Sequence, residues 1–253
     1  KSLVVLYAEC ILSRVEQLLA ISRYLVVDGY FMKKDFILPM LKAGLHVITK
    51  MRPDANLHYP VSEEDQPKGR GRKRVKGNKV NLKKIDKRRW TLVTEDKETS
   101  VYTAVLYCVV LKQHVRALYL LHHPTGKYDV FLSTDTQLAA ERILSYYRIR
   151  FQIEFLLRDA KQHSGLQDCQ ARSKNKLHFH FNMSLSAVSV AKVSPYMNQP
   201  EENRGAFSLQ SIKRLYHNKL LTEIIFDNLA IELNSPKIIR LYNHCLCFGN
   251  LAA

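Results

Sequence analysis

The sequence is short of several things, and each shortage excludes something. It has no apolar run long enough to cross a bilayer. The longest, about Val101 to Leu111, falls well below the roughly 20 residues such a span needs. No secretory signal opens the chain, because Glu9 and Arg14 interrupt the early apolar residues. Cysteines are few, odd in number and scattered (positions 10, 108, 169, 245 and 247), which is unlike a disulfide framework and makes a reducing cytosol the default. His244, Cys245 and Cys247 stand close together, but no second ligand pair completes a zinc site. Acids are scarce as well, 23 Asp and Glu against 39 Lys and Arg, for a net charge of +16. What remains, 46% hydrophobic and 25% charged residues, is an ordinary globular balance that excludes wholesale disorder.

The basic excess is local. From Lys68 to Arg89 there are twelve cations and one acid, Asp86, so this stretch carries +11 and the other 231 residues only +5. One basic patch on a nearly neutral body points to a polyanionic partner. Prolines and glycines punctuate the chain from Arg52 onward, which reads as a loop or an irregular arm. Arg70, Arg72, Lys73 and Arg74 are its candidate contacts to DNA phosphates, and such contacts make affinity fall with salt.

The hydrophobic pattern gives the organisation. Residues 3–20 carry apolar positions at helical spacing. Tyr24–Val27 reads as a buried strand ending at Asp28, Lys33–Ala43 as a helix closed by Gly44, and Leu45–Lys50 as a second strand. Strand, helix, strand in so short a span implies a parallel pair. Further strands are expected at Trp90–Val93, Val101–Val110, Ala117–His122 and Tyr128–Ser133. A long helix is expected to follow to about Gln162, capped by Thr134 or Asp135. Later helices fit Asn175–Val193, Ser208–Asn218 and Leu220–Leu229.

On the long helix, counted at about 100° per residue, Arg150, Arg158, Glu154 and Lys161 lie within about 60° of Tyr147. Ile149, Ile153, Leu156 and Ala160 fall opposite. Such a face is either a solvated charged stripe or a carboxylate for a divalent metal flanked by phosphate-binding groups. Asp28 is the natural second carboxylate, because ligands in open α/β sheets gather at the carboxyl ends of strands. Taken alone, Asp28-Gly29 also fits a plain turn.

At these residues the sequence resembles a known family. Tyr147, Arg150, Glu154 and Lys161 follow the spacing Y-x2-R-x3-E-x6-K, the signature of a large group of bacterial insertion-sequence transposases with a DDE active site. The surrounding segment from Leu132 to Ser173 is similar to the family's acidic helix and the loop after it. VVDGYFMKKDF at Val26–Phe36 resembles the segment bearing the second catalytic Asp. HVITKMRPDANLHYP at His46–Pro60 and GRGRKR at Gly69–Arg74 also resemble the group.

The resemblance implies a ribonuclease-H-like α/β core, a mixed sheet flanked by helices, interrupted by a β-rich insertion. It implies a partial core over 1–53, the basic arm and insertion over 54–131, the remaining core over 132–195 and a helical tail over 196–253. It further implies in-line phosphoryl transfer on double-stranded DNA: nicking at element ends, then strand transfer into a target. Asp28 and Glu154 become ligands of Mg²⁺, or of Mn²⁺ in its place, in a two-metal site. Tyr147, Arg150 and Lys161 become contacts to the phosphates of the element end, and Arg158 joins them on geometry. A homodimer on paired ends, a bacterial cytoplasmic location and no membrane partner complete the expectation. The family's first Asp, on an earlier strand, has no counterpart. Glu9 and Glu16, the acids ahead of Asp28, lie in a helix-like run. The chain, which starts at Lys1 without Met, is therefore expected to be a fragment or relic that does not cut alone. The alternatives are a non-catalytic DNA-binding protein and a different metal-dependent nuclease on the same core.

Overall fold

The computed structural model describes residues 1–52, 55–61, 66, 72–198, 200 and 207–249. These fall into two compact units, Lys1–Phe151 and Gln152–Ala253.

The first unit is built on a seven-stranded mixed sheet. Its strands are β1 (Tyr24–Val27), β2 (His46–Lys50), β3 (Leu57–His58), β4 (Thr91–Glu95), β5 (Thr99–Cys108), β6 (Gln113–His122) and β7 (Tyr128–Ser133). The order is β1-β2-β7-β6-β5-β3, and β4 also pairs with β5. As expected from the strand–helix–strand pattern, β1 and β2 run parallel, while every other pairing is antiparallel. The strands expected at 90–133 thus continue the sheet that β1 and β2 begin.

Alternating side chains give the sheet two apolar faces. Val47 on β2, Val115, Ala117 and Tyr119 on β6, and Val130 and Leu132 on β7 point into one core. Helices α1 (Leu3–Leu12) and α3 (Lys34–Lys42) cover it through Val4, Ala8, Phe36, Ile37 and Met40. Ile48, Leu118, Leu120 and Phe131 point to the other face, under α4 (Ala140–Ile149). The arrangement is a mixed sheet flanked by helices, in keeping with the fold class expected.

Three local differences from the sequence reading have physical causes. The helix expected over 3–20 is two, α1 and α2 (Val15–Ile21). The Ser13 hydroxyl donates to the Cys10 carbonyl at 2.8 Å, one of the side-chain bonds that compete with a helix ladder. The helix expected from Thr134 or Asp135 starts only at Ala140. The Asp135 carboxylate instead accepts from the Gln137 N–H and the Tyr24 hydroxyl, both at 2.8 Å. That helix also stops at Ile149, where Arg150 donates its N–H back to the Tyr147 carbonyl three residues earlier, and α5 (Phe151–His163) begins anew. The stretch after Arg52 is not wholly irregular either, since β3 pairs with β5 and Lys79 bridges to His58.

The second unit is helical: α5, α6 (Lys174–Asn198), α7 (Leu209–Asn228) and α8 (Pro236–Cys247). Ser208 caps α7 by accepting from the Ser211 N–H, and the two helices expected over 208–229 are this single one. Ser235 caps α8, with Pro236 opening it. That Ser-Pro start is a recognisable sign of a helix that periodicity did not single out. Among the described residues the core cluster is small: Ala160, Leu166, Val188 and Leu209. Among the described residues no helix is long and apolar enough to cross a membrane. All five cysteines are free thiols.

Candidate active site

Asp28 ends β1 at the carboxyl edge of the sheet, where its strand gives way to a single 3-10 turn, Gly29–Phe31. Several bonds fix it. Its Oδ1 accepts from the Gly29 N–H, and its carbonyl accepts from the Phe31 N–H at 3.0 Å and from the Thr49 hydroxyl at 3.1 Å. Among the described residues no donor is seen on its second carboxylate oxygen. Gly29 has a steric reason to be glycine, because a Cβ there would lie 2.9 Å from the Lys50 carbonyl oxygen. The turn can therefore approach the end of β2 only without a side chain.

Asp28 opens onto a depression of about 580 Å³ that Lys33, Lys50 and Arg52 also line. Lys33 lies over the Tyr30 ring at 4.2 Å, and Lys50 pairs with Asp129 at 2.7 Å. A carboxylate with three cations around the same depression makes a surface that can attract a phosphate diester. Residue spacing did not single out these three cations. They converge only because the end of β2 and the turn after β1 meet in the sheet.

Tyr147 and Arg150 belong to the first unit. The Tyr147 ring is only 7% exposed and packs 4.7 Å from Phe131. The helical count placed it on the polar face by running one phase through Arg150, but the helix is interrupted there. The Arg150 guanidinium lies over both the Tyr147 ring, at 5.5 Å, and the Phe151 ring, at 4.7 Å. Two aromatic faces thus hold it by cation–π attraction.

In the second unit, Glu154, Arg158 and Lys161 recur at i, i+4 and i+7 on α5 and are all exposed. The opposite side carries the buried Asp159 and Ala160. Asp159 is 8% exposed and accepts from Arg158 Nε and Nη2, both at 3.1 Å. The Arg158 guanidinium also lies 5.0 Å from the Phe155 ring. Asp159 therefore anchors Arg158, a pairing the helical count hides because adjacent residues do not share a face.

Arg72, Lys73 and Arg74 line one concave surface, whereas Arg70 lies outside the described residues. No group of three or more His, Cys, Asp or Glu side chains clusters as a metal cage among the described residues. A hard cation of the magnesium type takes one or two protein carboxylates and completes its shell with water and substrate phosphate oxygens. Asp28 in the first unit and Glu154 in the second are carboxylates of that kind.

No curated protein matches the sequence. A family model described as the transposase DDE domain matches residues 8–189. That span runs from α1 through the sheet, Asp28 and Glu154 into α6, and the mixed sheet between helices agrees with the ribonuclease-H-like fold of such domains. The chain belongs to the transposase DDE domain family.

Proposed function

We propose that Asp28 and Glu154 are two of the acids of a DDE transposase site that performs in-line phosphoryl transfer on double-stranded DNA. The observation that carries this reading is the place of Asp28: a carboxylate fixed at a strand's carboxyl end, beside three cations, inside the span matched by the family. Divalent ions, which this family generally uses, would be held by Asp28 and Glu154 and would supply Lewis-acid stabilisation of the reacting phosphoryl oxygens.

The protein's own groups do the rest. Lys33 and Arg52 supply positive charge beside Asp28 for the diester being cut. Arg150, seated on the Tyr147 and Phe151 rings, presents a planar fork to an end phosphate. Tyr147 acts as a positioning residue, because its ring holds that guanidinium. Lys161 and Arg158 add charge along the Glu154 face, Arg158 with its direction set by Asp159. Residues 1–23 carry Glu9 and Glu16 on α1 and α2 rather than on a strand. On this reading the residues given bring two acids where the family mechanism uses three.

Manganese binding and plasmid nicking by the 253-residue chain test this together. Mn²⁺ should bind in the presence of duplex DNA, and Asp28→Asn and Glu154→Gln should each weaken it at least tenfold. Nicking should be absent. Robust cutting would overturn the two-acid reading. Metal binding unaffected by both substitutions would favour a DNA-binding protein without catalysis, and cutting without strand transfer would favour a nuclease of another kind.

A further inference from the structure

We propose that the segment Arg72–Lys76 and the turn joining β5 to β6 together form a pre-ordered seat for the sugar-phosphate backbone of duplex DNA. The proposal rests on the transposase reading for the identity of its polyanion. Arg72, Lys73, Arg74, Lys76 and Lys112, with Tyr107 at the end of β5, line a concavity of about 600 Å³. No acid lines it among the described residues, and none of the five cations forms an ion pair there. Some cations elsewhere have acidic partners, as Lys50 has Asp129 and Lys219 has Glu223. Five like charges gathered on two separate stretches of chain repel one another, and a row of phosphates relieves that repulsion.

The segment is held rather than trailing. The Gln66 side chain donates to the Arg74 carbonyl at 3.1 Å and accepts from the Arg74 N–H at 3.0 Å. Just downstream, the Gly77 N–H donates to the Tyr59 carbonyl at 2.9 Å, and the Gly77 carbonyl lies 2.8 Å from His58 Nδ1. A Cβ on Gly77 would come within 2.9 Å of the Tyr59 oxygen, so this clamp requires glycine. On the other wall Lys112 has φ +53°, a left-handed conformation that glycine or asparagine adopts more readily. This turn backbone places the Lys112 side chain on the lining of the concavity. The Tyr107 ring is itself set by an edge contact to His114 at 5.6 Å.

The sequence pattern pointed to the first three cations of this seat. Lys76, Lys112 and Tyr107 join them only through the fold. Fluorescence anisotropy of the full chain with a short labelled duplex, across a salt series, tests the seat. A Lys76→Gln/Lys112→Gln variant should bind about tenfold more weakly and lose about 2 from the slope of log affinity against log salt, about 0.9 per lost phosphate contact. Gln66→Ala, which changes no charge, should weaken binding about threefold with the slope intact, because only the pre-ordering is lost. A Lys219→Gln/Lys237→Gln variant, altered in the second unit, should match the unaltered chain. If the Lys76/Lys112 variant behaves like this control while the chain still binds DNA, the seat is overturned and the transposase reading stands. If Gln66→Ala binds as tightly as the unaltered chain, the pre-ordering is overturned. If the unaltered chain binds no duplex, seat and transposase reading fail together.

Discussion

The Tyr24 hydroxyl donates to Asp135 at 2.8 Å and so ties the start of β1, the strand that ends in Asp28, to the segment after β7. The tie shows in both ionisations. The hydrogen bond to Asp135 and burial push the Tyr24 phenol above its ordinary value. Burial pushes the Asp135 carboxyl up, but the Gln137 N–H and the Tyr24 hydroxyl hold it below its ordinary value on balance. A lowered carboxyl stabilises the fold above its ordinary pKa near ~3.9, and this is lost as pH falls through the folded value. A raised phenol stabilises the fold below its ordinary pKa near ~10, and this is lost as pH rises through the folded value. Tyr24→Phe should therefore cost about 1 kcal/mol between about pH 4 and pH 10. Urea denaturation of the two proteins should converge outside that window, whereas a gap constant with pH would assign the loss to packing. Gly29 is the second residue on which Asp28 depends. Gly29→Ala must move either the 3-10 turn or the Lys50 carbonyl, so Mn²⁺ binding should fall with stability. Gly44→Ala is the control. Gly44 closes α3 at φ +86° with only ordinary contacts around an added Cβ, so about 1 kcal/mol should be lost and metal binding kept.

Elements were legible where one local pattern decides the outcome. The β1–α3–β2 unit is of this kind: short strand-forming segments, YLVV and HVITK, flank a short helix, and Gly44 supplies the stop. Strand β7 matched its expected bounds because it alternates between two buried faces. Periodicity failed where a side chain chose a partner far along the chain. Asp135 has the residue type of a helix cap, yet the Tyr24 hydroxyl, 111 residues away, holds it elsewhere. The candidate site was legible in the same measure. Asp28 and Glu154 stand in motifs, whereas Lys33, Lys50 and Arg52 become neighbours of Asp28 only through the pairing of β1 with β2. The α3 helix carries much of that placement. Phe36, Ile37 and Met40 are fully buried on its inner side, against the sheet face that also holds Val27 and Val47. Met40→Ala should cost about 2–5 kcal/mol, as large-to-small changes in a closed core do. Urea denaturation followed by Trp90 fluorescence measures it, and a cost under about 1 kcal/mol would show that α3 packs more loosely than its burial implies.

At the scale of the whole chain, the two units differ in how much apolar surface each removes from water. The sheet unit has two cores, one on each face, with side chains such as Phe36, Leu45, Leu57, Leu106 and Leu132 at 2% exposure or less. The helical unit gathers Ala160, Leu166, Val188 and Leu209 into its cluster and leaves Phe179, Val190, Met197, Leu229 and Phe248 more than 60% exposed. Burial contributes roughly 25 cal/mol per Å² of apolar surface, so the helical unit holds the smaller reserve against its chain entropy. The sequence supplies a separate probe for each unit. Trp90 is the only tryptophan, and it is buried in the first unit, with its indole N–H donating to the Tyr59 hydroxyl at 3.3 Å. Its fluorescence reports the sheet unit alone. Far-ultraviolet helical dichroism is dominated by α5 to α8, since they hold most of the helical residues. On heating, helical dichroism should fall before Trp90 fluorescence shifts, with midpoints several degrees apart. Met40→Ala should lower the fluorescence midpoint and leave the dichroism midpoint in place. Coincident transitions that move together in this variant would show that the two units unfold as one, and the thin helical core would then not set the chain's thermal limit.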